Sequence, residues 1–137
     1  MKGQSLHIKN ELQQLPRLLE FIEQATEELA LSQSVNMNIK LAVEEAVVNI
    51  ILYAYPKETN KDILIDLAYN GKRLKVVISD YGIAFDPTVA KEPDTTLSLE
   101  QRPVGGLGIF CIKKLMTNVS YHRKGDKNVL TLIKEIH

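Results

Sequence analysis

Glu45 and Asn49 lie four residues apart in a segment, residues 35–54, whose apolar residues recur at helical spacing. At about 100° per residue the two polar side chains share one helix face, separate from the core-facing stripe. A carboxylate there can act as a general base, and an amide oxygen is a hard ligand suited to magnesium. A satisfied structural pair or a partly exposed patch would give the same pattern, so this helix alone leaves both interpretations open.

A second pair of interest follows the strand-like residues 74–79, where the chain reads Asp80, Tyr81 and Gly82. An aspartate just past a strand can accept a hydrogen bond from an exocyclic amine such as that of adenine. Gly82 has no side chain and would let the backbone approach a flat ring. Taken alone, the pair is explained more simply as an ordinary turn, because Asp and Gly are common turn residues.

Glycines recur at Gly105, Gly106 and Gly108, with Leu107 between them, where a loop meets a helix predicted to reach Met116. Free N–H groups and the positive end of the helix dipole favour phosphate at such a position. No strand leads directly into these glycines and no Lys-Ser/Thr follows them. Both the Rossmann fingerprint and the Walker P-loop are therefore excluded.

The elements that position these residues follow from periodicity and turn signals. A weakly alternating strand over residues 5–9 precedes a helix from Leu15 and a second helix that begins near Ser32 or Ser34 and ends near Ala54. Two hairpins follow, with strands at 63–69 and 74–79 and at 119–122 and 129–136. Residues between Asp80 and Pro103 show no period and predict a long functional loop. The order predicts an α+β fold, a two-layer sandwich with helices on one face of a mixed, mainly antiparallel sheet.

Composition narrows the class of protein. A chain of 137 residues has room for one domain, which we expect to span 1–137. Lys and Arg together number 17, as do Asp and Glu, so no global field favours nucleic acid or an anionic membrane. Cys111 is the only cysteine, which excludes an intramolecular disulfide and predicts a structural role. A polar N-terminus and the lack of a long apolar run predict a cytoplasmic protein.

Each motif is a weak signal by itself, but the motifs taken together, in this order, resemble those of one known superfamily. The helix with Glu45 and Asn49, the strand-end Asp80, the long loop and the glycine turn match the N, G1 and G2 boxes of one ATP-binding superfamily. This superfamily includes gyrase B, Hsp90, histidine kinases and MutL, and the resemblance covers nearly the whole chain. Within it, LAVEEAVVN at 41–49 and GGLGI at 105–109 resemble the branch of serine kinases that act as anti-sigma factors.

The resemblance implies roles for individual residues. Glu45 matches the catalytic base and Asn49 the magnesium ligand, while Asp80 and Gly82 match the adenine-binding pair. The phosphate-binding turn is matched by Gly106, Leu107 and Gly108, and an ATP lid is expected at about 86–104.

The chain also departs from the family pattern. Ala84 stands at the position of the second glycine frequent in the G1 box, a replacement that would tighten the turn and weaken nucleotide affinity. Tyr53 replaces a histidine that is frequent in this branch. Arg102 is a lid residue that could face the γ-phosphate or be solvated.

The activity implied by the resemblance is phosphoryl transfer from ATP, with Mg²⁺, to a serine or threonine of a STAS-type anti-sigma-factor antagonist. The same chain could then hold a sigma factor, and a homodimer is left open; no nucleic acid or membrane partner is expected. One alternative is a nucleotide-responsive binding module without kinase activity. Ala84 is the residue that favours considering this alternative. Another is a detached histidine-kinase catalytic domain, although His7, His122 and His137 show no helical-hairpin pattern.

Overall fold

A computed structural model describes residues 2–89 and 112–136 of the chain. The helices are α1 (Leu15–Glu28) and α2 (Gln33–Asn49), the latter continued by a π-helical turn at Ile50–Ala54. The strands are β1 (Lys2–Lys9), β2 (Asp62–Tyr69), β3 (Arg73–Asp80), β4 (Asn118–Lys124) and β5 (Lys127–Glu135). Short 3₁₀ turns occupy Leu12–Gln14 and Pro87–Val89, and residues 112–115 are helical.

The strands form one sheet in the order β1-β2-β3-β5-β4, and each of these four pairings is antiparallel. Asn70 closes the β2–β3 hairpin, because its side-chain oxygen accepts hydrogen bonds from the backbone N–H groups of Lys72 and Arg73. Gly71 has a φ of 95° and Gly125, in the β4–β5 turn, a φ of 65°, a region that favours glycine. Both predicted hairpins are confirmed, and the expected short strand at residues 5–9 is the edge strand β1.

The two helices pack against one face of this sheet. Ser32 caps α2 by accepting a hydrogen bond from the Val35 N–H at 3.2 Å, which decides between the two predicted N-caps. Strand side chains on the opposite face, such as those of Asp66 and Lys75, are half-buried or exposed. The fully or almost fully buried core draws on both layers and includes Leu18, Ile22, Ala25, Ile39, Val43, Val47, Ile63, Ile65, Leu67, Leu74, Val76, Ile78 and Leu132. The predicted α+β class, with helices on one face of a mainly antiparallel sheet, is confirmed.

The second helix differs from the prediction in its last five residues. The α-helix ends at Asn49, and the Tyr55 N–H donates to the Ile50 carbonyl at 3.1 Å across a wider π turn. This turn presents the Ala54 carbonyl to the Ile83 N–H, which donates to it at 2.9 Å. The wider turn therefore joins the helix end to the loop that follows β3, as π turns near functional sites often do.

Two sequence predictions fall largely outside the described residues. The expected lid at about 86–104 is described only as far as residue 89, and the helix predicted from Gly105 only from residue 112. Cys111 and Arg102 lie outside the described residues as well. Among those that are described, no helix is long and apolar enough to cross a membrane.

Gly82 packs directly against the π turn, and this contact generates a prediction about stability. A Cβ added at Gly82 would lie 2.3 Å from the Ala54 carbonyl oxygen, whereas one added at Gly3 would meet nothing closer than 3.7 Å. We expect Gly82→Ala to lower the free energy of unfolding by about 1–3 kcal/mol, because the helix end must shift. Urea denaturation measures this change, with Gly3→Ala as the matched control. Equal stability of the two variants would contradict the close packing.

Candidate functional site

Asp80 is the last residue of β3 and is almost completely buried, with 1% of its surface exposed. Its Oδ1 accepts hydrogen bonds from the Gly82 N–H at 2.8 Å and from Nδ2 of Asn128 at 2.9 Å. Asn128 is the residue paired with Asp80 across the β3–β5 ladder. The position of the carboxylate is thus fixed from the loop on one side and from the neighbouring strand on the other.

Burial is the main influence on the ionisation of Asp80. Desolvation raises the pKa of the carboxyl above its ordinary value, since burial penalises the charged form. The hydrogen bonds from Asn128 and Gly82 and the positive charge of Arg123 act in the opposite direction. A buried carboxylate held by donors on one oxygen can receive a further donor from a ligand.

Asn128 holds the loop after β3 as well as Asp80. Its Nδ2 also donates to the Ile83 carbonyl at 2.9 Å, and its Oδ1 accepts from the Tyr121 hydroxyl and, at 3.0 Å, from Arg123. The same Arg123 nitrogen donates to the Gly82 carbonyl at 2.9 Å. Side chains of the β4–β5 hairpin therefore fix the position of the Asp80–Gly82 turn. These side chains are distant from the turn in sequence and belong to none of the motifs identified from the sequence.

Sequence reasoning missed these residues, although one signal was present. Asn128 shares the inward-facing alternation of Leu130 and Leu132 in β5, and a polar residue at a core position needs a partner. That observation would have selected Asn128 without identifying Asp80 as its partner.

Asn49 contributes the opposite wall from the last turn of α2. The residue is only 2% exposed, yet neither its Oδ1 nor its Nδ2 has a hydrogen-bond partner among residues 2–89 and 112–136. Buried amides are almost always hydrogen-bonded, and an unpaired one costs roughly 1–3 kcal/mol. An amide left unpaired at a pocket wall is the feature expected of a group that a ligand completes.

Asn49 and Asp80 line the same pocket. Its wall is mostly apolar, with a few polar groups. The lining residues are Ala46, Asn49, Ile50, Ala54, Asp80, Phe85, Pro87, Tyr121, Asn128 and Leu130. An apolar cleft with a few convergent polar groups is the usual form of a small-molecule site and suits a flat heteroaromatic ring.

Glu45 lies one helical turn before Asn49 and is half-buried. Desolvation raises the pKa of its carboxyl, and the neighbouring charge of Glu44 raises it further. Glu45 is not part of the pocket lining, so its carboxylate stands beside the pocket, where the polar face of α2 meets solvent.

The remaining predicted site residues have different positions. Ala84 is exposed and does not line the pocket, so a side chain there takes no space from the cleft. Gly82 is buried against Ala54, and its contact with the helix end accounts for the absence of a side chain. Tyr53 stacks on Phe85, a lining residue, with ring centroids 5.1 Å apart. Gly106, Leu107 and Gly108 lie outside the described residues.

Helices on one face of an antiparallel sheet, with an apolar cleft whose wall carries a few polar groups, are typical of a small α+β ligand-binding domain. The profile of the family described as "Histidine kinase-like ATPase domain" matches residues 8–134. The chain belongs to that family, and the superfamily indicated by the sequence motifs is confirmed.

The curated relatives are protein kinases. The chain is 32% identical over 99 residues to the serine-protein kinase RsbW of Listeria monocytogenes, covering 69% of this chain and 63% of the relative. It is 31% identical over 101 residues to the serine/threonine-protein kinase BtrW of Bordetella bronchiseptica, covering 74% and 71% respectively. RsbW of Staphylococcus aureus is 35% identical over 96 residues, or 66% of this chain and 60% of that protein. The match thus spans less than two thirds of the RsbW relatives.

Solved structures share the fold at low sequence identity. The RsbU and RsbW domains of a Mycobacterium tuberculosis protein superpose with a TM-score of 0.68 at 14% identity, covering 97% of this chain and 32% of that one. A chain of the SiaB–SiaC complex from Pseudomonas aeruginosa gives a TM-score of 0.58 at 13% identity, covering 94% and 88%. These matches support the two-layer architecture.

The raised pKa of Asp80 predicts how stability depends on pH. A carboxyl whose folded pKa exceeds its unfolded value of about 3.8 binds more protons when folded, so stability is lost as pH rises through the folded pKa. Asp80→Asn removes this loss, and we expect it to raise the free energy of unfolding at pH 7 relative to wild type, because the amide has no charge to desolvate. Urea denaturation of both proteins between pH 4 and about pH 7 tests the prediction. Parallel pH profiles would contradict it.

Proposed function

We propose that this chain binds Mg-ATP and transfers the γ-phosphate to a serine or threonine hydroxyl of a STAS-domain protein that antagonises an anti-sigma factor. The observation that carries the proposal is the unpaired, buried amide of Asn49 facing the same cleft as the buried carboxylate of Asp80. An unpaired amide held in this way is costly unless a ligand uses it.

The Asp80 end of the cleft suits adenine. Oδ1 is occupied by Gly82 and Asn128, so the second carboxylate oxygen is the one to accept a hydrogen bond from an exocyclic amine. Phe85 and Leu130 supply apolar wall for the ring. Because Asn128 and Arg123 fix the carboxylate before a ligand arrives, little ordering is left to be done on binding.

The Asn49 end of the cleft suits the phosphates and their metal ion. An amide oxygen is a hard ligand of the kind that magnesium accepts, and none of the described residues competes for the Asn49 Oδ1. When bound, the metal ion would neutralise charge on the phosphates. The sequence-predicted turn at Gly106, Leu107 and Gly108 would supply backbone N–H groups to the same phosphates.

Glu45 is the group proposed to receive the hydroxyl proton. Partial burial and the adjacent Glu44 both raise the pKa of its carboxyl, which makes the carboxylate a stronger base near neutral pH. Glu45 lies one helical turn from Asn49, between the buried cleft and solvent. From this place it can orient a hydroxyl presented by a second protein.

The relatives support a protein as the partner. RsbW and BtrW are protein kinases, and a chain of the SiaB–SiaC complex, a structure of two proteins together, shares the fold. A phosphate added to a serine at a protein interface introduces about two negative charges and separates the partners. We propose that the released chain then binds a sigma factor, so that the antagonist's phosphorylation state decides which partner the chain holds.

Transfer assays with Glu45→Gln test the proposed activity. The chain is incubated with Mg-ATP labelled at the γ-phosphate and with each purified STAS-domain protein of the same genome. We expect wild type to label one of them on serine or threonine, and Glu45→Gln to reduce the rate by about 10²–10⁴-fold while ATP binding is retained. Glu27→Gln, at an exposed position of α1 outside the cleft, is the matched control and should retain transfer.

Two outcomes would contradict this proposal. Undiminished transfer by Glu45→Gln would exclude Glu45 as the base. Mg-ATP binding without labelling of any STAS-domain protein would instead identify a nucleotide-responsive binding module, the alternative that the sequence left open.

A further inference from the structure

The outward face of α2 carries an unusual number of exposed apolar side chains. Six large hydrophobic residues are exposed within the described parts of the chain, and three of them, Met37, Leu41 and Leu52, belong to α2 and its π turn. Their exposed fractions are 54%, 46% and 37%. Exposed apolar residues that cluster on one element mark interaction surfaces more often than isolated ones do.

These residues lie on one side of the helix, with Met37 and Leu41 one turn apart and Val48 and Leu52 one turn apart. At about 100° per residue, Met37, Leu41 and the half-buried Val48 fall within about 40° of one another, and Leu52 extends the line into the π turn. We call Met37, Leu41, Val48 and Leu52 the α2 stripe. The helix already has a core-facing side, so the stripe is a second apolar face that burial in this fold does not explain.

The α2 stripe borders the candidate catalytic carboxylate. On the same helical projection Glu45 lies about 40° beyond Leu41, and Asn49 lies about 40° beyond Glu45. Asn49 is buried at the cleft wall, whereas Glu45 is half-buried and has no hydrogen bond or ion pair with the described residues. A hydroxyl that reaches Glu45 without crossing the nucleotide cleft must therefore approach from the side of the stripe.

The charges beside the α2 stripe indicate what kind of protein surface would bind there. Glu44 lies on one edge of the stripe and Glu45 on the other, so a protein that covers it meets carboxylates on both sides of an apolar centre. Such a centre with an acidic rim fits a partner surface that presents apolar side chains, a hydroxyl toward Glu45 and a cation toward Glu44. A second copy of this chain would bring the same carboxylates opposite one another if the stripe met itself.

We infer that the α2 stripe is the docking surface for the protein substrate and places the acceptor serine or threonine beside Glu45. The inference rests on the proposed kinase activity and adds to it the surface that selects the substrate. Docking energy from apolar contacts outside the reacting groups would hold the hydroxyl in place during transfer.

Leu41→Arg tests the inference, because the side chain is exposed and its replacement should leave the fold intact. The substrate is the STAS-domain protein that wild type labels in the transfer assay. We expect Leu41→Arg to lower kcat/KM for that protein by about tenfold or more, with Mg-ATP affinity unchanged by calorimetry. Ser120→Arg, which adds the same charge at an exposed position in β4, is the control and should transfer at the wild-type rate.

A photo-crosslinking amino acid placed at Met37 or at Ser120 provides a second measurement. Crosslinks to the STAS-domain protein from position 37, and none from position 120, would support the docking surface. Crosslinks from position 37 to a second copy of the chain, or to the chain's own residues 90–111, would overturn it. If Leu41→Arg transfers phosphate at the wild-type rate, the docking surface is wrong and the proposed kinase activity is unaffected. If the wild-type chain labels no STAS-domain protein, both the proposed activity and the docking surface are wrong.

Discussion

The carboxylate of Asp80 is buried at the end of a central strand, and much of the surrounding structure serves to hold it there. Burial alone would favour the neutral acid, but donors from Asn128 and Gly82 and the charge of Arg123 favour the ionised form. The β3–β5 register places Asn128 opposite Asp80, so the antiparallel sheet itself creates the site. A shift of that register by one residue would turn Asn128 to the other face and remove its bond to the carboxylate.

A second constraint joins the sheet to the helical layer. The π turn at the end of α2 brings the Ala54 carbonyl to the Ile83 N–H, and Gly82 is the residue that can lie against it. The same helix leaves the Asn49 amide buried without a hydrogen-bond partner in the described part of the chain. Proteins commonly sacrifice stability at binding sites in this way, because groups that recognise a ligand are unsatisfied until it arrives. The cleft is thus positioned by the packing of the core and left incomplete at the Asn49 amide.

The sequence predicted most of the fold, because the periods of α1, α2 and the hairpins are local signals that survive in the folded chain. It also selected Asn49 and Asp80, whose side chains the structure brings to one cleft. It did not predict the bonds from Asn128 to Asp80 and Ile83 or the bond from Ile83 to the π turn, since these join distant segments and local periodicity does not identify partners. Periodicity also did not show that Leu41 is exposed, because a helical wheel gives direction around a helix without showing what covers each side.

Calorimetric titration with Mg-ATP tests the central claim, that Asp80 and Asn49 form the two ends of one nucleotide site. Wild type and Asn118→Ala, an exposed asparagine outside the cleft, should bind with equal affinity. Asp80→Asn should weaken binding by about ten- to a hundredfold or abolish it, and Asn49→Ala should leave weak binding that no longer depends on magnesium. Wild-type affinity in both cleft variants, or no binding by wild type at millimolar nucleotide, would contradict the account.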